Sequence, residues 1–140
     1  MPFRYLPDIA LADIAFEAES ETVDGLIESS ALALTDIMVD PESLRSGTVK
    51  KVRISSEDLD RLLYDFLTEI IIVKDVDSLL FRDFKVRVTP DQKSLEATMT
   101  GERIDRERHV LRNDVKAVTM HMFGVRREAG GWKATVVLDI

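Results

Sequence analysis

Residues 59–71 read LDRLLYDFLTEII, and residues 84–99 read FKVRVTPDQKSLEATM. In the first stretch Leu59, Leu62, Leu63, Phe66, Leu67, Ile70 and Ile71 recur at the i, i+3, i+4, i+7 spacing. That spacing puts one wide apolar stripe on a helix. In the second stretch the period drops to two. Phe84, Val86 and Val88 alternate with Lys85, Arg87 and Thr89, Pro90-Asp91 signals a turn, and Leu95, Ala97 and Met99 alternate with Ser94, Glu96 and Thr98. A helix of this kind, next to a hairpin with one apolar and one polar face, predicts an α+β fold built on antiparallel sheet.

The flanking sequence extends the same reading. A second helix is expected from Thr22 to about Val39, where Val23, Leu26, Ile27, Ser30, Leu34, Ile37 and Met38 keep helical spacing. Thr22 suits its N-cap, Asp24 its first turn, and Pro41 stops it. For the helix at 59–71, Ser55 with Asp58 resembles a capping box. Ile14, Phe16 and Ala18 alternate with Asp13, Ala15 and Glu17, and Val52 and Ile54 alternate with basic residues. Ala117–Val125 and Trp132–Leu138 form the last strand pair, joined through Gly130-Gly131. The expectation is a single domain over residues 1–140: mostly antiparallel sheet of six or seven strands, covered by two main helices.

Composition narrows the function classes. Of 140 residues, 45% are apolar and 32% charged, which describes a folded domain rather than a disordered tail. The absence of cysteine removes disulfides, thiolate metal sites and cysteine nucleophiles together. The start, MPFRYLPDIALADIAF, has neither the basic head nor the long apolar run of a signal peptide. Ile70–Val73 is far too short an aliphatic cluster to span a bilayer. A cytoplasmic protein with no membrane association is the expectation. The net charge of −7 argues against direct nucleic-acid binding, since affinity for phosphates needs a basic face. From Arg103 to Lys116, basic Arg103, Arg106, Arg108, His109, Arg112 and Lys116 are interleaved with Asp105, Glu107 and Asp114. That pattern reads as a solvated mixed-charge face.

Enzymatic machinery is missing from the pattern. There is no Walker loop, dinucleotide glycine motif, Gly-x-Ser-x-Gly or His-Glu-x-x-His. The two histidines are His109 and His121, and His121 falls in a strand pattern with Thr119 and Phe123, which reads as a hydrogen-bonded structural histidine. An acidic accessory or binding protein is expected rather than a self-contained enzyme. Two carboxylates stand out by context. Asp13 lies among Ala12, Ile14, Ala15 and Phe16, where a strand disfavours aspartate unless its charge is satisfied. Asp139 closes the last strand before Ile140. If that strand lies beside the second, Asp13, Asp139 and the terminal carboxylate converge, and such oxygens suit a hard cation. The alternative is a capped strand end and a terminus in water. Spacing does not choose between them.

With these residues in view, the chain resembles the archease family. Ala12-Asp13-Ile14-Ala15-Phe16-Glu17-Ala18 is similar to that family's Ala-Asp strand, and Leu62-Leu63-Tyr64-Asp65-Phe66-Leu67 to its Leu-Leu-Tyr-x-Phe-Leu segment. Phe81-Arg82-Asp83-Phe84, Gly101-Glu102 through Asp105 to His109, and Lys116-Ala117 with Thr119 and His121 fit further blocks. The close, Trp132 to Val137-Leu138-Asp139-Ile140, resembles the family's Val-x-x-Asp-Ile ending. One departure stands out: many members carry His-Thr before the Ala-Asp pair, where this chain has Ala10-Leu11.

The resemblance implies a small cytoplasmic protein of tRNA splicing. Such proteins assist the RtcB-type tRNA ligase, promoting its guanylylation and multiple turnover without being ligases. It also implies a divalent cation, usually calcium, on Asp13, Asp139 and Ile140, the last through a backbone or terminal oxygen. Two other readings compete. One is a general chaperone or modulator of tRNA-modifying proteins, which needs a large exposed apolar patch. The other is a metal-dependent hydrolase with Asp13, Asp139 and His121 lining its site.

Overall fold

The computed structural model describes residues 2–6 and 13–140; Ala12 and the Ala10-Leu11 departure lie outside them. The described elements are β1 (Phe3–Tyr5), β2 (Asp13–Ser20), α1 (Val23–Met38), β3 (Thr48–Ser55), α2 (Leu59–Asp77), β4 (Leu79–Val88), β5 (Ser94–Arg103), β6 (Ala117–Val118), β7 (Gly124–Glu128) and β8 (Gly131–Asp139). They form two antiparallel sheets. One runs β1-β2-β8-β6, with β7 also paired to β8, and the other runs β3-β5-β4. The α+β expectation holds, with eight strands among the described residues.

Each sheet turns one face to a shared core. On β2 and β8 that face carries Phe16, Ala18, Ala134, Val136 and Leu138; on β5 it carries Leu95, Ala97 and Met99. Helix α2 buries the predicted stripe: Leu62, Leu63, Phe66 and Leu67 are fully enclosed. Phe84 packs edge-on against both Phe66 and Phe81.

Helix α1 is buried on several sides, which accounts for its small residues, Ser29, Ser30, Ala31 and Ala33. It contacts both sheets and covers the open edge of β4. Asp24 Oδ1 accepts from the Val88 amide at 2.8 Å, Glu28 Oε2 accepts from the Val86 amide at 2.8 Å, and Thr35 Oγ1 donates to the Phe81 carbonyl at 2.8 Å. An edge strand left bare invites foreign pairing; here helix side chains occupy its free groups.

Local signals place most boundaries. Thr22 caps α1 by accepting from the Gly25 amide at 3.0 Å. The cap of α2 differs from expectation: Ser55 belongs to β3, and Asp58 is the N-cap, accepting from the Arg61 amide at 2.9 Å. An aspartate adjoining the first helical turn satisfies a free donor and interacts favourably with the positive end of the helix dipole, so no capping box is needed. The β7–β8 hairpin turns at Ala129 and Gly130, both at positive φ, the geometry that matches strand twist. Residues 117–125 do not form one continuous strand. Pairing to β8 stops after Val118 and resumes at Gly124, and Met120–Met122 bulge outward with Met122 at φ 56°. His121 is therefore exposed in a turn rather than held in a strand.

The mixed-charge stretch is only partly solvated, because several of its groups fasten the segment to the body. Glu102 accepts from the Arg45 amide at 2.8 Å, from both Arg108 Nη atoms at 2.8 and 2.6 Å, and from His109 Nε2 at 2.7 Å. His109 Nδ1 accepts from the Asp105 amide, so the neutral ring carries its proton on Nε2. His109, and not His121, is the buried structural histidine. Nearby, the buried Lys74 donates to Asp114 at 2.6 Å and to the Val115 carbonyl at 2.7 Å.

Two predictions follow from this packing. Gly101 faces the β4 bulge, where the register passes from Phe81 to Asp83 and leaves Arg82 extra. A Cβ there would lie 1.9 Å from the Leu80 carbonyl oxygen. Gly101→Ala is expected to cost about 3 kcal/mol or more, read in urea unfolding; an unchanged midpoint refutes the clash. The Arg108 guanidinium holds the Glu102 carboxyl well below the usual carboxylate range, against the effect of burial and with help from His109 and Arg45. The stabilisation from Glu102 is then complete above the unfolded glutamate pKa of about 4.3 and is lost as pH falls below it. Glu102→Gln should destabilise most at neutral pH, and the gap should narrow by pH 3. A gap independent of pH would contradict this.

Candidate metal centre

Strands β2 and β8 pair antiparallel along eight residues, from Ser20↔Trp132 to Asp13↔Asp139. Residues directly opposite share a face. Ile14 and Leu138 turn into the core, so Asp13 and Asp139 stand side by side on the opposite face. The two strands come from opposite ends of the sequence, and their register joins two of the three expected ligands.

On the far side of β8, Ala117 is the partner of Asp139. The row across the sheet is thus Asp13, Asp139, Ala117, and the short alanine leaves it uncovered on that flank. Behind the row, Ala15 and Val137 form a small, buried floor. Thr119 follows Ala117 on this face, with its amide donating to the Val137 carbonyl at 2.9 Å. Its hydroxyl oxygen is buried without a hydrogen-bond partner among the described residues. The Asp139 carbonyl accepts from the Lys116 amide at 2.8 Å, which leaves its carboxylate as its free oxygen donor. Ile140 continues the strand, with its side chain packed against the core.

The electrostatics of this face are uneven. Further along it, Glu17 is met by Arg4 Nε at 3.0 Å, Arg126 Nη2 at 3.2 Å and, more distantly, Lys133. Burial pushes the Glu17 carboxyl up, but these cations together bring it below its ordinary value. Asp13 and Asp139 have no such partner among the described residues. Like charges directly opposite one another destabilise a strand pair by about 0.2–1 kcal/mol, and a bound cation removes that cost.

The donors are all hard oxygens: two carboxylates, an unsatisfied hydroxyl and the main-chain oxygen of Ile140. They fit a cation that takes oxygen ligands and completes its shell with water. Among the described residues no three His, Asp or Glu side chains converge. His121 accordingly does not join Asp13 and Asp139, and the set imagined for a hydrolase is not assembled. The unpaired hydroxyl of Thr119 is not apparent from spacing, because a threonine in a strand carries no sign that its hydroxyl lacks a partner.

No helix among the described residues is long and apolar enough to cross a membrane. Comparison with known proteins agrees with the architecture. Residues 3–140 match the sequence profile of the Archease protein family. Protein archease of Methanosarcina mazei is 37% identical over 132 residues, which is 92% of this chain and 90% of that protein. Protein archease of Methanothermobacter thermautotrophicus is 38% identical over 131 residues, 92% of this chain and 93% of that protein. The solution structure of Methanobacterium thermoautotrophicum protein 1598 superposes with a TM-score of 0.86 at 35% identity, covering 99% of both chains. A crystal structure of an archease from Thermotoga maritima, described as a possible chaperone, shares the fold at a TM-score of 0.68 and 18% identity, covering 96% of both. From its strand register to its sequence blocks, the chain belongs to the archease family.

Proposed function

We propose that this protein is an accessory factor of an RtcB-type RNA ligase in tRNA splicing, promoting guanylylation and repeated turnover without carrying out ligation itself. The reading rests on family membership, and on one observation above the others: Asp13 and Asp139 are held opposite each other, and among the described residues neither has an ion-pair partner. Asp13, Asp139 and an oxygen of Ile140 would hold a hard divalent cation, best calcium. Bound there, the ion supplies local positive charge and open positions for a partner's oxygens. The protein's own part is to fix two carboxylates on a rigid strand pair and to keep the floor beneath them apolar.

A second reading, a chaperone for other RNA-processing proteins, draws on the description of the Thermotoga maritima structure as a possible chaperone. It is favoured by the exposed Met120 and Met122 on the bulge between β6 and β7. Methionines adapt to varied apolar partners. Suppression of aggregation in unrelated clients, lost on Met120→Ser with Met122→Ser, would favour it over the ligase role.

Two measurements test the leading reading. In chelator, Asp13→Asn should melt slightly higher than wild type, by the equivalent of about 0.5 kcal/mol. Adding calcium should raise the melting temperature of wild type only, by linkage. A calcium-dependent rise retained in both Asp13→Asn and Asp139→Asn would remove the site. In multiple-turnover ligation with a purified RtcB-type ligase, GTP and divalent metal, wild type should stimulate at low ratio to the ligase, and both variants should lose most of that stimulation. Undiminished stimulation by folded variants would sink the role given to these carboxylates.

A further inference from the structure

The three-stranded sheet turns its second face to solvent, and side chains stand on it in rows. Lys51, Thr98 and Lys85 make one row across β3, β5 and β4; Arg53, Glu96 and Arg87 make the next. Strands lie about 4.8 Å apart and alternate residues about 7 Å apart, so the four cations mark a rectangle of roughly 7 by 10 Å. Arg53 is paired with Glu96. Lys51, Lys85 and Arg87 have no ion pair among the described residues. The other carboxylate, Asp83, lies one row beyond, opposite Thr100. On this face the four cations stand against two carboxylates, Glu96 and Asp83, in a chain of net charge −7. Charge is thus segregated, and the total conceals a basic face. Next to the arginines the surface dips into a depression of about 470 Å³, lined by Ser55, Thr89 and Ser94 together with Val88, Pro90 and Leu95.

Ammonium, guanidinium and hydroxyl groups are the side chains that meet phosphate and sugar oxygens. The charged rows themselves offer little to other partners. Protein interfaces are anchored by apolar or aromatic side chains in pockets, and Val49 is the exposed large apolar residue here. Single strands are held by stacking on aromatics, but Phe81 and Phe84 turn to the core. The major groove of B-DNA takes a protruding helix or ribbon. The minor groove of an A-form helix is wide and shallow and displays 2′-hydroxyls, which a broad sheet face bearing rows of cations can meet.

We propose that the solvent face of the β3-β5-β4 sheet binds the sugar–phosphate backbone of double-helical RNA through Lys51, Arg53, Lys85 and Arg87. The negative remainder of the protein keeps this binding weak and orients it, so that only this face approaches the duplex. The proposal does not depend on the ligase reading, because its test contains no ligase.

The test is fluorescence anisotropy with a labelled RNA duplex of about 20 base pairs, titrated with the whole protein at several salt concentrations. Wild type should bind with a Kd of about 10–100 μM at low salt and a log–log salt slope near −3. Lys51→Glu with Lys85→Glu should weaken binding at least about tenfold and flatten the slope by about 2. Lys51→Gln with Lys85→Gln should give a smaller loss. Arg106→Glu, elsewhere on the surface, should leave affinity unchanged, and thermal melts check that each variant folds. Binding that survives both double substitutions overturns the proposal, as does equal or tighter binding to single-stranded RNA or duplex DNA. Failure of wild type to bind duplex RNA even at low salt also overturns the proposal.

Discussion

The fold depends on how helix α1 meets strand β4. Asp24, Glu28 and Thr35 place two acceptors and a donor along the strand's free edge, matching two amides and a carbonyl. The helix thereby stands where a further strand would, and the three-stranded sheet ends there. The opposite side of the same helix packs on β2 and β8. Because one helix serves both sheets, the position of the carboxylate pair on β2 and β8 and that of the basic face on β3-β5-β4 are fixed relative to each other. Buried Ser30 bonds its own helix at the Leu26 carbonyl, and Thr35 bonds Phe81, so neither hydroxyl is left unsatisfied in the core.

Much of this was legible residue by residue where the signal is local. The helical stripe of α2, the Thr22 cap and the alternation in β2, β4 and β5 report the solvent contrast between two faces of one element. Signals failed where long-range contacts decide. Strand β1 is three residues long and has no periodicity to show; it exists because it pairs with β2. The break between β6 and β7 occurs in an apparently alternating run, since the outward turn at Met120–Met122 is set by pairing to β8. The two histidines exchanged roles for the same reason: the ring of His109 is held by Glu102 and by the Asp105 amide, partners revealed only in space.

The candidate site divides in the same way. Asp13 is conspicuous alone, as a charge in an apolar strand. Its register with Asp139 joins distant parts of the chain, and no local pattern encodes it. Net charge misleads for a related cause. A total of −7 averages over a basic sheet face and an acidic remainder. Alternation in β3, written as Val49, Lys51, Arg53 and Ser55 on one side, already contains that face, but it becomes a surface only when β5 and β4 align their own outward residues with it.

The pairing of β2 with β8 carries a consequence for the order of assembly. Strand β2 is made early, and its partner follows every other described element. Closing so long a loop is slow, and pairings of this kind dominate the folding time of β-rich domains. On a ribosome, β8 emerges after every other described element, so the edge of β2 that it covers has no partner until then. The two aspartates can meet only once β8 has paired with β2, so their mutual repulsion belongs to that pairing. A hard cation arriving there would act as a clasp between two distant parts of the chain.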